Sequence, residues 1–146
     1  MNARRVAKGV VGGALGLYAL ACLAGHFGYR ALLYPAPPAG DLPIPGGARL
    51  VTLEAEDGVA VHALDFPNPA AARTVVYFHG NGEVVEQDAW MAERIVAQGY
   101  AVRLAEYRGY GRSRGADPTE AGLYADASAV LDDLDRKSPR LNSSHI

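Results

Sequence analysis

Thr74-Val75-Val76-Tyr77-Phe78-His79-Gly80-Asn81-Gly82 is the stretch on which the fold turns. Its first five residues form an unbroken apolar run rich in β-branched and aromatic side chains, the pattern of a strand covered on both faces. The run opens at once into a glycine-rich loop, so an internal strand delivers its end to a turn. Downstream, Trp90, Met91, Ile95 and Ala97 can share one face of a helix between Val84 and Gln98, and Gly99 stands where a C-terminal cap belongs. Tyr100 to Glu106 reads as a second internal strand, and Tyr107 to Gly115 is a loop with three glycines. Asp117-Pro118 then supplies an N-cap with proline in the first turn of a helix expected to run to Leu134. In that helix Leu123, Ala127, Val130, Leu131 and Leu134 form the inward face, while Asp126, Asp132, Asp133 and Asp135 are expected to face water.

Upstream of Thr74, Arg49 to Glu54 and Val59 to Phe66 alternate in period two around the turn Glu56-Asp57-Gly58, which predicts a β-hairpin. The order hairpin, strand, helix, strand, helix demands a sheet with parallel neighbours, an α/β fold. Further upstream, Pro35, Pro37, Pro38, Pro43 and Pro45 with Gly40, Gly46 and Gly47 make a stiff spacer over residues 30–47. Residues 9–29 carry no formal charge, and a helix of that length matches a hydrocarbon core of roughly 30 Å. The expected organisation is a basic end at 1–8, a transmembrane signal anchor at 9–29, the spacer at 30–47, a folded domain at 48–136 and a polar tail at 137–146.

Charge supports that division. The chain of 146 residues has a net charge of −2, yet Arg4, Arg5, Lys8 and Arg30 stand without an acid in the first 34 residues. The positive-inside bias puts the N-terminus in the cytoplasm and the folded domain on the opposite side of the membrane. A cleaved signal peptide ending at Ala19-Leu20-Ala21 is the alternative, with secretion as its consequence. No basic stripe exists for nucleic acid, and the single Cys22 permits neither an internal disulfide nor a cysteine zinc cage. No His, Cys, Asp and Glu cluster has metal-ligand spacing, so neither a metal nor another cofactor is expected. Gly80-Asn81-Gly82 and Gly109-Tyr110-Gly111 each lack the third glycine of a dinucleotide loop.

Tyr77 to Gly82, Gln98-Gly99-Tyr100-Ala101-Val102 and Glu106-Tyr107-Arg108-Gly109-Tyr110-Gly111-Arg112-Ser113 together resemble the N-terminal half of an α/β-hydrolase. The likeness spans most of Leu50 to Leu134. More narrowly the chain is similar to the membrane-anchored, serine-aminopeptidase-like branch, in which a short anchor and a Leu-Tyr-Pro segment like Leu33-Tyr34-Pro35 precede the hairpin. It departs from that pattern at Glu106, where Asp is usual, and at Arg103, a charge in a strand usually apolar. A buried charge of this kind must find a partner or shift its ionisation.

The resemblance implies hydrolysis of an ester, thioester or amide through an acyl-enzyme, with a small acyl or peptide substrate. It implies that the loop His79, Gly80, Asn81 and Gly82 builds part of an oxyanion hole, with the backbone N–H of Asn81 as donor, and that His79 braces the loop instead of acting as the base. His62, in the hairpin, is expected to be structural. Gly111-Arg112-Ser113-Arg114-Gly115 matches the G-x-S-x-G nucleophile pattern letter by letter. A true elbow joins a strand directly to a helix, whereas Tyr107 to Gly111 intervene here, so Ser113 is expected to order the loop. No catalytic residue is assigned: the nucleophile strand should follow the helix ending at Leu134, and Ser138 to Ile146 do not write one. His145 has no nucleophile or acid to accompany it. Three of the five serines fall after Arg136, a break in composition that suggests a foreign tail. The chain is thus expected to be an inactive N-terminal fragment of an anchored serine hydrolase. The alternative is a short non-catalytic anchored binding module or a pseudogene product.

Overall fold

In the computed structural model, residues 3–37 and 42–137 are described, so Met1, Asn2, the spacer residues 38–41 and the expected polar tail beyond Lys137 lie outside the described residues. Helix α1 (Ala3–Leu33) runs past both ends of the uncharged stretch. Its segment Val6–Leu33 has a mean hydropathy of 1.7 and is long and apolar enough to cross a membrane, a property that signal sequences share.

The remaining residues form a mixed sheet with helices on both faces. Strands β1 (Arg49–Glu54) and β2 (Ala60–Phe66) pair antiparallel, as the hairpin pattern predicts. Strands β3 (Thr74–Phe78) and β4 (Ala101–Ala105) pair in parallel, and β4 also pairs antiparallel with β2, giving the order β1-β2-β4-β3. Two consecutive strands can lie parallel only if the chain crosses back between them. That crossover is a 3-10 turn at Val85–Asp88 followed by helix α2 (Ala89–Ala97), shorter than the helix expected from Val84. Its inner side is Val85, Ala89 and Ala92, packed with Leu64, Phe66, Val102 and Leu104. Trp90, placed inside by the sequence pattern, is instead 60% exposed.

Helix α3 (Glu120–Lys137) lies on the other face, where Val130 packs with Leu53, Val61 and Ala105. Its cap is Thr119, whose Oγ1 accepts the Gly122 N–H at 3.1 Å, so the helix starts after the Asp117-Pro118 pair. The inward face also differs from the expected one. Gly122, Ala125, Asp126, Val130 and Asp133 are buried, and Leu131 is 49% exposed.

Two buried arginines explain the reversal. Arg103 stands directly opposite Asp65 across the β2–β4 ladder and bonds it through Nε at 2.6 Å and Nη2 at 2.8 Å. Its Nη1 reaches Asp133 at 2.8 Å on α3. Burial works against the Arg103 charge, but the two carboxylates outweigh it and raise the guanidinium pKa. Arg108 binds Asp126 through Nη2 at 2.7 Å and the hairpin-turn carboxylate of Asp57 through Nη1 at 2.5 Å. Asp126 and Asp133 therefore turn inward because the sheet presents cations that cannot remain unpaired.

Strand β3 ends the sheet with its outer edge unpaired among the described residues. A groove lined by Thr74, Val76, Leu131 and Leu134 runs beside it. An apolar edge with no charge between Val75 and Phe78 is a template for further strand pairing. Residues 48–146 expressed without the remainder are expected to self-associate in analytical ultracentrifugation. A monodisperse monomer with a sharp cooperative melting transition would sink that expectation.

Candidate functional site

The C-terminal ends of β3 and β4 carry two loops, His79–Glu83 and Tyr107–Ser113, and parallel strands commonly present their chemistry at such ends. His79 sits at the junction and is only 5% exposed. Its Nδ1 lies 2.9 Å from the Gly80 carbonyl and its Nε2 lies 3.3 Å from the Tyr107 N–H. Those partners require Nδ1 to donate and Nε2 to accept, so the ring is the neutral Nδ1–H tautomer. The Tyr107 and Tyr110 rings flank it with centroids at 5.1 and 5.0 Å. Burial pulls the His79 pKa below the ordinary 6.5, despite the nearby carboxylates of Asp88, Glu83 and Glu86. Both nitrogens are committed to holding the loops together.

The rest of the first loop is tied down by residues that periodicity does not single out. Glu83 accepts the Gly80 N–H at 2.9 Å, and its own N–H bonds the Gly80 carbonyl at 3.3 Å. Tyr110 donates its hydroxyl to Asn81 Oδ1 at 3.0 Å, which joins the two loops. Gly82 has φ +82°, a conformation that a side chain would strain. Asn81 is exposed at the tip, and the sequence-assigned loop residues His79, Gly80, Asn81 and Gly82 thus form one compact turn beside Tyr110.

Ser113 is completely buried. Glu106 ends the strand ladder by donating its N–H to the His62 carbonyl at 3.0 Å, and the chain then leaves β2. The Ser113 Oγ takes over, accepting the His62 N–H at 2.8 Å. The hydroxyl thereby replaces a backbone acceptor that β4 no longer supplies. His62 Nδ1 lies 3.4 Å from the same oxygen; His62 is half-buried, but the Ser113 hydroxyl has no exposed surface on which a substrate could dock. Gly111-Arg112-Ser113-Arg114-Gly115 is a loop-closing segment, with Ser113 N–H on the Tyr110 carbonyl at 2.8 Å.

The loop is also held by Glu106. Its Oε2 accepts the Arg112 N–H at 2.8 Å, while Oε1 has no hydrogen-bond partner among the described residues. A Cβ on Gly111 would fall 1.9 Å from Oε1, so Glu106 needs glycine at position 111. Burial raises the Glu106 pKa, and neighbouring Glu86 adds to the rise against the Arg112 N–H. Arg112 bridges the two acids, its Nε lying 3.1 Å from Glu86. Among the described residues, no group of three or more His, Cys, Asp and Glu side chains is arranged to hold a metal ion.

A sequence profile of the family described as "Serine aminopeptidase, S33" matches residues 69–144, which include both loops and α3. The chain belongs to this family of α/β-hydrolases. Among individual relatives, the uncharacterized protein Rv2307c of Mycobacterium tuberculosis is 34% identical over 116 residues. That match covers 75% of this chain and 40% of the relative. The uncharacterized protein YfhR of Escherichia coli is 30% identical over 105 residues, covering 66% of this chain and 35% of the relative. The chain thus spans about 40% or less of the length of these relatives. An esterase of Pyrococcus furiosus has the same fold, with TM-score 0.56 at 20% identity over 71% of this chain and 44% of the esterase. A hypothetical protein from Pseudomonas aeruginosa aligns with TM-score 0.53 at 20% identity, covering 70% of this chain and 35% of its own.

Glu106 gives the family loop a pH signature. A carboxyl whose pKa is raised on folding favours the native state most when protonated. Its contribution is therefore present below the ordinary 4.5 and is lost as pH rises through the raised value. Glu106→Gln should make the full chain in micelles more protease-resistant than the parent at pH 7.5, with the advantage vanishing near pH 4.5. An advantage independent of pH, or its absence at pH 7.5, would refute the assignment.

Proposed function

We propose that this chain is the N-terminal half of the catalytic domain of a membrane-anchored serine hydrolase. The intact enzyme cleaves an ester, thioester or amide of a small acyl or peptide substrate through an acyl-enzyme. Helix α1 is the single-pass anchor, with the N-terminus cytoplasmic and the folded domain on the opposite side. The observation that carries this reading is the loop His79–Gly82 at the C-terminal end of β3, within the sheet order β1-β2-β4-β3 of a family member. In such a domain the Asn81 N–H contributes to the oxyanion hole, where preorganised donors commonly supply factors of about 10²–10³ in rate.

The remaining parts are expected from residues that would follow α3. A strand beside β3 would deliver the nucleophile into the space next to His79, and later loops would bring the acid and the base. Support comes from the outer edge of β3, unpaired among the described residues, and from relatives of about twice this length. By this reading residues 1–146 alone have no hydrolase activity, since Ser113 is fully buried with its Oγ accepting the His62 N–H.

The test is to sequence the transcript past the codon for Arg136 and to treat both products with a serine-reactive fluorophosphonate. The longer product is expected to be labelled at one serine beyond residue 136, with Ser113→Ala leaving labelling and turnover within about threefold. Residues 1–146 should remain unlabelled. A stop codon directly after Ile146, or a loss of about four orders of magnitude in Ser113→Ala, would overturn the enzyme reading in favour of a non-catalytic module or of Ser113 as nucleophile.

A further inference from the structure

Gly80 joins two peptide planes, and Glu83 grips both. Its Oε2 accepts the Gly80 N–H at 2.9 Å, a bond to the His79–Gly80 peptide. Its own N–H donates to the Gly80 carbonyl at 3.3 Å, a bond to the Gly80–Asn81 peptide. His79 adds a second donor to that carbonyl, with Nδ1 2.9 Å from the oxygen. A trans peptide is planar, with its C=O and N–H pointing in opposite directions. The donors that hold the Gly80 carbonyl therefore set the direction of the Asn81 N–H, aimed away from them.

Glycine has more backbone freedom than any other residue, so only outside contacts fix these two planes. Gly80 does not have a positive φ, and position 80 needs glycine for room instead of conformation. A Cβ there would lie 2.6 Å from Glu83 Oε2 and 3.1 Å from Cδ, so the missing side chain is what admits the carboxylate. A glutamate that reaches back three residues to a backbone N–H commonly starts a helix. Here the next helical turn begins only at Val85, and the bonds from Glu83 close a tight turn with φ +82° at Gly82. Tyr110, from the second loop, holds the Asn81 side chain through Oδ1 at 3.0 Å. The backbone and the side chain of Asn81 are thus placed by different residues.

We propose that Glu83 is a positioning residue for the oxyanion-hole donor: its carboxylate and its N–H lock Gly80 between them and so hold the Asn81 N–H in one direction. The catalytic consequence rests on the hydrolase reading, whereas the lock on Gly80 does not. Glu83 works as a hydrogen-bond acceptor of the right length and not as an acid or base, so a neutral acceptor of the same reach can replace it.

Two measurements separate the lock from its consequence. In the full chain in micelles, Glu83→Ala should speed hydrogen exchange at the Gly80 amide by at least about tenfold, while Glu83→Gln stays within about threefold of the parent. Both substitutions remove the charge, so the comparison isolates the hydrogen bond, and circular dichroism should be the same for all three chains. In the longer product, Glu83→Ala should lower kcat for an ester substrate by about 10–100-fold with KM within about twofold, and Glu83→Gln should restore most of kcat. Unchanged exchange at Gly80 in Glu83→Ala overturns the lock. Faster exchange with kcat unchanged, or a loss of kcat that Glu83→Gln does not rescue, overturns the positioning role. If there is no longer product, or no phosphonate labels it, the hydrolase reading fails and the catalytic role with it, and exchange at Gly80 still decides whether the lock exists.

Discussion

Two guanidinium groups buried in and beside the sheet set the terms for the rest of the folded unit. A cation removed from water costs several kcal/mol unless carboxylates and hydrogen bonds surround it, and removal of one partner from such a group costs about 3–5 kcal/mol. Arg103 meets that demand with Asp65 on the neighbouring strand and Asp133 on α3. Arg108 meets it with Asp126 on the same helix and Asp57 in the hairpin turn. Asp126 and Asp133 lie seven residues apart on one face of α3, so the two pairs together fix the helix's rotation and its position along the sheet. Close packing follows: a Cβ on Gly122 would come within 2.7 Å of the Arg108 side chain.

The same arginine that ties α3 to the sheet also starts the second loop, because the Arg108 N–H bonds Asp126 at 2.9 Å. From that point Tyr107, Tyr110 and Ser113 are placed by the geometry of a fixed loop. Tyr107 and Tyr110 flank His79, Tyr110 reaches Asn81, and Ser113 completes the β2 ladder. The first loop is thus held by the second, and the second by a helix that follows it in sequence. On the reading proposed above, this support would keep the Asn81 N–H in place, since a donor misplaced by about 1 Å loses much of its effect.

Local pattern exposed much of this arrangement. Period-two alternation located the β1–β2 hairpin, and the apolar run Thr74–Phe78 located β3 to the residue. The loop His79-Gly80-Asn81-Gly82 was legible as a turn because two glycines directly follow the apolar run, and its functional assignment came from the family resemblance. Ser113 was separated from a nucleophile by counting the residues between β4 and the serine. The errors share one origin. Asp126 and Asp133 read as solvent-facing because a carboxylate on a helix usually is, and Trp90 read as core because large aromatics usually are. The contacts of Tyr107 and Tyr110 with His79 and Asn81 carried no local signal, since those partners lie on another segment, and the bond of Glu83 to the Gly80 N–H within its own loop was not read from the pattern.

By itself the sequence determined the α/β class, the hairpin, the positions of the two apolar strands, the apolar N-terminal helix and the position of the glycine loop, all of which follow from periodicity and turn chemistry within a few residues, whereas β3, read as covered on both faces, is a half-buried edge strand. Tertiary structure decided the sheet order, which strand lies at the edge and which face of α3 turns inward. It also decided that Ser113 is sealed while Trp90 is open. The reason is physical: strand and helix patterns are local, whereas the inward face of α3 depends on two cations that another part of the chain places beneath it. Burial free energy belongs to the pair of groups and not to either residue alone.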